Sequence, residues 1–284
     1  MKFYNMLSAE QLKGKIRNYS QQTKLPPQEI LQMYLFERVL TRLSKSQYAN
    51  NFILKGGLLI SSMIGIAERS TMDMDVTVTG INMDFQTITD IVKEILDVDA
   101  DDGFRFEFKK IEPIRDDDDY YNFRVHFNAV SGKINNPMKL DITTGDAITP
   151  RAINYSYKSL FDNMLIDVMA YNPETVVAEK YETVLRRNIA NTRARDFYDL
   201  YKFFRLYKNR LDKNVLKAAL NNTARKRNSL DEINDADEII TEISQEKYLE
   251  SLWDNYSSKN HYAKNISFND IIQNLREIAD YLRN

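Results

Sequence analysis

The 284-residue sequence contains no cysteine and only two histidines, His126 and His261. The first absence excludes a disulfide scaffold, thiolate-bound zinc or iron–sulfur, and a thiol nucleophile. The second argues against imidazole zinc sites and histidine relays. Any metal chemistry therefore falls to carboxylates, and to a hard cation such as Mg2+ or Mn2+. No apolar run approaches the roughly 18 residues of a membrane span. Met1-Lys2-Phe3-Tyr4-Asn5 leads into polar sequence with no apolar signal core, so a cytoplasmic protein without a membrane partner is expected. With 43% hydrophobic and 28% charged residues, a sizeable core is available and global disorder is excluded.

Glycine and proline are scarce too, 8 and 6 residues, and they are segregated. Every glycine lies at or before Gly145 and every proline at or before Pro173. The stretch from Glu174 onward is what a helical domain without tight turns looks like. Val176, Val177, Tyr181, Val184 and Leu185 recur there at helical spacing, as do Phe197, Leu200, Tyr201 and Phe204, and later Ile271, Ile272, Leu275, Ile278 and Leu282. Ser267-x-x-Asp270 has the pattern of a capping box for the last helix. In the first half, a helix is expected after Pro26-Pro27, through Ile30, Met33, Tyr34, Leu40 and Leu43. Phe104, Phe106 and Phe108 alternate with polar residues, as do Tyr121, Phe123, Val125 and Phe127, which is the strand pattern. Between them, Asp116 to Asp119 reads as a solvated turn, since nothing nearby fixes a metal geometry. His126 shares the polar parity of Arg124 and Asn122 and is expected to be exposed or to line a groove. The expected organisation is an α+β domain with a mixed sheet over residues 1–172, followed by an all-α domain over 173–284.

The most informative stretch is Phe52-Ile-Leu-Lys-Gly-Gly-Leu-Leu-Ile60, followed by Arg69-Ser-Thr-Met-Asp-Met-Asp-Val76. A strand-like run ends at Lys55-Gly56-Gly57 and a helix-like one follows. Paired glycines there let the backbone approach a phosphate at a helix N-terminus, where amides and dipole favour an anion. Asp73 and Asp75 precede an alternating strand, so their side chains share one side, roughly 6.6 Å apart. Two carboxylates so spaced can grip divalent ions about 3.5–4 Å apart, as two-metal phosphoryl chemistry requires. Alone, Asp-x-Asp is weak. A third acid, Asp141, sits at the centre of the strand-like Lys139-Leu-Asp-Ile-Thr143, as a salt-bridge partner or a ligand.

Net charge is −2, yet from Lys180 to Arg227 there are 14 basic residues against 4 acidic, a surplus of +10. Tyr198, Tyr201, Phe203, Phe204 and Tyr207 are interleaved with the basic residues. Such a block is a solvated face or a polyanion-binding surface, although most of these aromatics read as core. Asp196 and Asp199 lie three apart, with Arg195 four before Asp199, a spacing that suits a surface ion-pair network.

This constellation resembles the nucleotidyltransferase superfamily with the polymerase-β palm, and more closely the AbiEii family of nucleotidyltransferase-like toxins from phage-resistance toxin–antitoxin systems. The resemblance spans roughly residues 27 to 207 in four ordered motifs: Leu54-Lys-Gly-Gly57; Arg69-x-x-x-Asp73-x-Asp75; Lys139-Leu-Asp141-Ile-Thr-x-Gly-Asp146; and Ala178-Glu-Lys180 with Arg193-x-Arg195-Asp196-x-x-Asp199-Leu-Tyr201. It implies a palm fold with a helical C-terminal domain. The implied activity is metal-dependent transfer of a nucleotide from an NTP, GTP among the candidates, to a hydroxyl. Asp73, Asp75 and Asp141 would hold Mg2+ or Mn2+. Gly56, Gly57, Leu58, Arg69 and Lys180 would bind nucleotide, Lys180 reaching back towards the acids, and Asp196 or Asp199 would act as base or positioner. One position departs from the superfamily: Leu58 stands where Ser or Thr commonly touches the triphosphate. Phosphate contact would then come from the Gly57 and Leu58 amides, or from Ser61 or Ser62. RNA, tRNA above all, is the preferred acceptor, with Arg186, Arg187, Arg193, Arg225, Lys226 and Arg227 as candidate contacts, and an antitoxin is the implied partner. The rival expectations are a protein or small-molecule acceptor, and a nucleotide-binding toxin that sequesters a partner without catalysis.

Overall fold

In the computed structural model, residues 7–114 and 122–283 are described; the Asp116–Asp119 run and Tyr121 lie outside them. The elements in chain order are α1 (Ala9–Thr23), α2 (Pro27–Lys45), β1 (Phe52–Lys55), α3 (Gly56–Ile64), β2 (Met74–Val78), α4 (Phe85–Asp97), β3 (Arg105–Ile114), β4 (Asn122–Ser131), β5 (Ile134–Thr144), β6 (Ile153–Lys158) and β7 (Leu165–Ala170). Helices α5 (Pro173–Arg187), α6 (Ala194–Tyr207), α7 (Lys213–Lys226), α8 (Leu230–Asn234), α9 (Ala236–Gln245), α10 (Lys247–Lys259) and α11 (Phe268–Arg283) follow. The chain divides into two units, residues 1–145 with Ala152–Ala170, and Asp146–Arg151 with Tyr171–Asn284.

In the first unit, seven strands among the described residues form one mixed sheet, ordered β3-β4-β5-β2-β1-β7-β6. The β2–β5 and β1–β7 pairs are parallel and the others antiparallel. Helix α2 starts at Pro27, where a missing N–H costs nothing, and is buried almost continuously from Ile30 to Leu43. A helix apolar on nearly every side belongs in a core. The charges it buries are paired: Arg42 forks onto Asp102 at 2.6 and 2.9 Å, and Arg38 pairs with Asp162 at 3.3 Å. Glu37 accepts the Leu160 amide at 2.7 Å, and burial pushes its carboxyl up to about 8. Along β4 and β5, Phe123, Val125, Phe127, Met138, Leu140 and Ile142 are buried. Strand pleating therefore places Arg124, His126, Lys139 and Asp141 on the opposite face. That face carries the candidate site.

In the second unit, Asn172 caps α5 by accepting the Thr175 amide at 2.8 Å, with Pro173 in the first turn. A boundary at residue 172 does not anticipate that Asp146–Arg151 groups with this unit. The cause is polar: the Asn172 amide donates to the Thr149 and Arg151 carbonyls at 2.8 and 3.0 Å, and the Thr149 amide donates to the Thr175 hydroxyl at 3.1 Å. Ser267 and Asp270 form the expected reciprocal cap of α11. Tyr198, Phe203 and Phe204 are buried, and Tyr201 and Tyr207 half-buried. The α6 aromatics thus build core and leave little ring surface for stacking on bases. None of the described helices is long and apolar enough to cross a membrane.

Candidate active site

The glycine pair adopts the geometry its position demands. Lys55 ends β1 in an extended conformation, and Gly56 turns the chain into α3 at φ +63°, a region that favours glycine. A Cβ on Gly56 would overlap the Asp75 carboxylate, and one on Gly57 would lie 2.5 Å from an Arg69 guanidinium nitrogen. Both glycines are thus minimal by contact. Lys55 supplies no side-chain cap, and the first amides of α3, Gly56 to Leu58, have no partner within the helix. They are suited to an anion.

Three expectations change here. Arg69 is only 3% exposed and packs against Gly57, donating to the Ser70 carbonyl at 3.0 Å. It supports the turn from beneath, a placement at odds with direct nucleotide contact. Ser61 is fully buried and donates to the Arg69 carbonyl, which removes it from the phosphate candidates. Ser62 is half-buried and donates to the Leu59 carbonyl at 2.7 Å. The Leu58 side chain is core, so only its amide is available.

The acids are placed by register. Lys55 lies opposite Asp75, Asp75 opposite Asp141, Asp141 opposite Arg124, and Arg124 opposite Glu112. One row therefore crosses β1, β2, β5, β4 and β3, and neighbours in it are separated by about one strand spacing, 4.8 Å. Asp73 precedes β2 and is exposed, close enough to the Arg124 guanidinium to add to its positive-charge stabilisation. Asp141 is not free: the Arg124 guanidinium donates to both its oxygens, at 2.8 and 2.7 Å. Asp141 holds the Arg124 guanidinium well above its ordinary pKa. Glu112 accepts from Lys110 at 2.5 Å and pairs with His126 at 2.7 Å, and these partners hold its carboxyl down to about 2. His126 thus lines the face as an anchored, half-buried side chain. Beside it, Gln32, Met72, Asp73, His126 and Lys139 border a cleft of about 300 Å³.

Among the described residues, no group of three or more acids or histidines is gathered closely enough to hold a metal ion. Carboxylates brought side by side repel one another, and Arg124 pairs with Asp141. The donor set itself fits a hard divalent ion: carboxylate oxygens on one face, two side by side on parallel strands, next to a backbone turn open to phosphate.

In the second unit, Lys180 contacts Asp196 at 2.5 Å and Asp199 at 3.0 Å, and these acids are 7% and 0% exposed. Spacing alone suits a surface ion-pair network for Asp199, yet it is buried and pairs with Lys180, the residue the family motif sets beside it. Two buried acids so placed hold a lysine firmly. The basic block is partly consumed as well. Arg227 donates to Glu182 at 2.6 Å and pairs with Glu179 at 3.1 Å, and Arg186 donates to Glu182 at 2.8 Å. Both were expected to face RNA, yet buried Glu182 needs their charge. Burial and the neighbouring Arg193 and Arg186 lower the pKa of half-buried Arg187. Arg193 and Arg225 are exposed, and Lys226 is half-buried. Arg124 and Glu112 went unassigned in the sequence; alternation of Arg124 and His126 with Val125 was the available signal.

The sheet, the glycine turn and the strand acids define a nucleotidyltransferase fold. Two Helicobacter pylori crystal structures share it: JHP933, with TM-score 0.51 and 16% identity over 91% of this chain and 95% of that one, and a protein provisionally assigned as a nucleotidyltransferase, with TM-score 0.50 and 17% identity over 91% and 98%. At such identity the likeness is one of fold. No curated protein matches the sequence. The family model for the nucleotidyl transferase AbiEii toxin of type IV toxin–antitoxin systems matches residues 38–274. The chain belongs to that family of nucleotidyltransferases, and membership implies an NTP substrate and a cognate antitoxin.

Proposed function

We propose that the chain transfers a nucleotidyl group from an NTP to a hydroxyl of RNA, tRNA being the preferred class, breaking the α–β phosphoanhydride and releasing pyrophosphate, with Mg2+ or Mn2+ held by Asp73, Asp75 and Asp141. The observation that carries this reading is the lateral pairing of Asp75 with Asp141 beside the Gly56–Gly57 turn. A divalent ion would supply Lewis-acid neutralisation of the phosphoryl oxygens. The amides of Gly56, Gly57 and Leu58 would orient the phosphates, and Arg69 would keep that turn rigid. Lys180 is assigned to the triphosphate by its family motif, with Asp196 and Asp199 positioning it. Transfer then depends mainly on alignment and charge, which these residue types provide.

Wild-type protein incubated with each labelled NTP, Mg2+ and total RNA tests the reading. Label in RNA that disappears with Asp75→Asn is the expected result. Label in the protein or small-molecule fraction would move the acceptor to those classes. Label nowhere, with folded protein and either metal, would overturn the activity and favour a non-catalytic nucleotide-binding toxin.

A further inference from the structure

Arg124 has two possible acceptors in its own row, Asp141 on one side and Glu112 on the other. It is forked onto Asp141 while Glu112 is engaged by Lys110 and His126. A β-bulge between Phe108 and Lys110 shifts the β3–β4 register. Without that shift in register, Ile111 would lie opposite Arg124 and Glu112 would turn into the core. Bulges next to functional sites re-aim side chains in this way, and here the bulge delivers a second carboxylate to Arg124. The Arg124–Asp141 pair is 37% and 18% exposed, so solvent weakens it enough to exchange; a fully buried pair would not.

We infer that Arg124 is a counter-ion gate: it occupies Asp141 in the metal-free protein, and cation binding transfers Asp141 to the cation and Arg124 to Glu112. The inference rests on the proposed role of Asp73, Asp75 and Asp141 as metal ligands. Arg124 is in this sense a positioning residue. It keeps the acids assembled without metal and sets the free-cation concentration at which the site fills.

The test is Mn2+ titration followed by electron paramagnetic resonance, without nucleotide, alongside thermal melts in chelator and in Mn2+. Arg124→Met should tighten Mn2+ binding on the order of tenfold, about the worth of one charge-assisted hydrogen bond. Its Tm should fall in chelator and recover in Mn2+, whereas a purely structural residue would lower both equally. Arg124→Lys keeps the charge but loses the fork, so it should also tighten binding; an unchanged affinity would overturn the gate in favour of simple through-space repulsion. Glu112→Gln should weaken binding in the wild-type background and have little effect with Arg124→Met. An equal effect in both backgrounds would overturn the exchange. Absence of Mn2+ binding in every variant, with or without NTP, would overturn the metal-site reading and the gate with it. Binding identical in all variants but lost in Asp75→Asn would overturn the gate alone.

Discussion

The strand row and the Lys180 cluster handle charge in opposite ways. On the sheet, Asp75 and Asp141 stand side by side and partly in solvent, and Asp141 is held by one exchangeable guanidinium. Around Lys180 one amine is closed between two acids that are 7% and 0% exposed. Half-exposed carboxylates set side by side cost a fold stability and are best explained by a ligand that bridges them. A compensated buried pair is a fixture, costly to break. The two regions should therefore respond differently to the same kind of substitution.

The largest expected effect is on chemistry. Asp73→Asn or Asp75→Asn should lower transfer on the order of 10³-fold, the several kcal/mol of a Lewis-acid contact. The Tm of the metal-free protein should stay level or rise, because repulsion is relieved. Activity assays paired with melts check this, and a folded variant with wild-type turnover would remove the acid from the metal site.

Lys180→Met should do the reverse at the helical cluster. Removing the amine from between two buried acids should cost about 3 kcal/mol of stability, and Lys180→Met with Asp199→Asn should recover part of it. Denaturant midpoints measure both. A neutral Lys180→Met would make the cluster as exchangeable as the strand row and dissolve the contrast. Gly56→Ala comes next: φ +63° and contact with Asp75 should cost about 1–3 kcal/mol, with transfer falling because the turn moves off the carboxylate.

Smallest are the effects on RNA affinity. Arg193→Gln and Arg225→Gln, both at exposed positions, should each reduce the slope of log K against log salt by up to about 0.7–0.9 if they touch phosphate. Arg227→Gln should instead lower Tm, since its partners Glu179 and Glu182 are within the unit. Salt titrations of RNA binding separate these outcomes.

Much of the strand site was legible because its signals are local. Glycine before a helix, acids two apart, and an acid flanked by apolar residues of opposite parity all lie within a few residues of chain. The same locality exposed α5, α6 and α11 through apolar spacing. What stayed hidden depends on partners distant in sequence. Arg124 meets Asp141 only through the β4–β5 register, and Glu112 joins them only through a bulge. Arg227 looked like the end of a basic block, yet its acids lie 45 and 48 residues earlier. Arg69 carried a motif position and still proved buried, because the glycines it accompanies need a floor as well as an opening.

Anomalous diffraction from crystals grown with Mn2+ and a non-hydrolysable NTP tests the central claim most directly. A manganese peak about 2.1 Å from carboxylate oxygens of Asp75 and of Asp73 or Asp141 is predicted, with Arg124 withdrawn from Asp141 wherever Asp141 is a ligand. A peak elsewhere, or an Asp141 coordinated while still forked by Arg124, would contradict it.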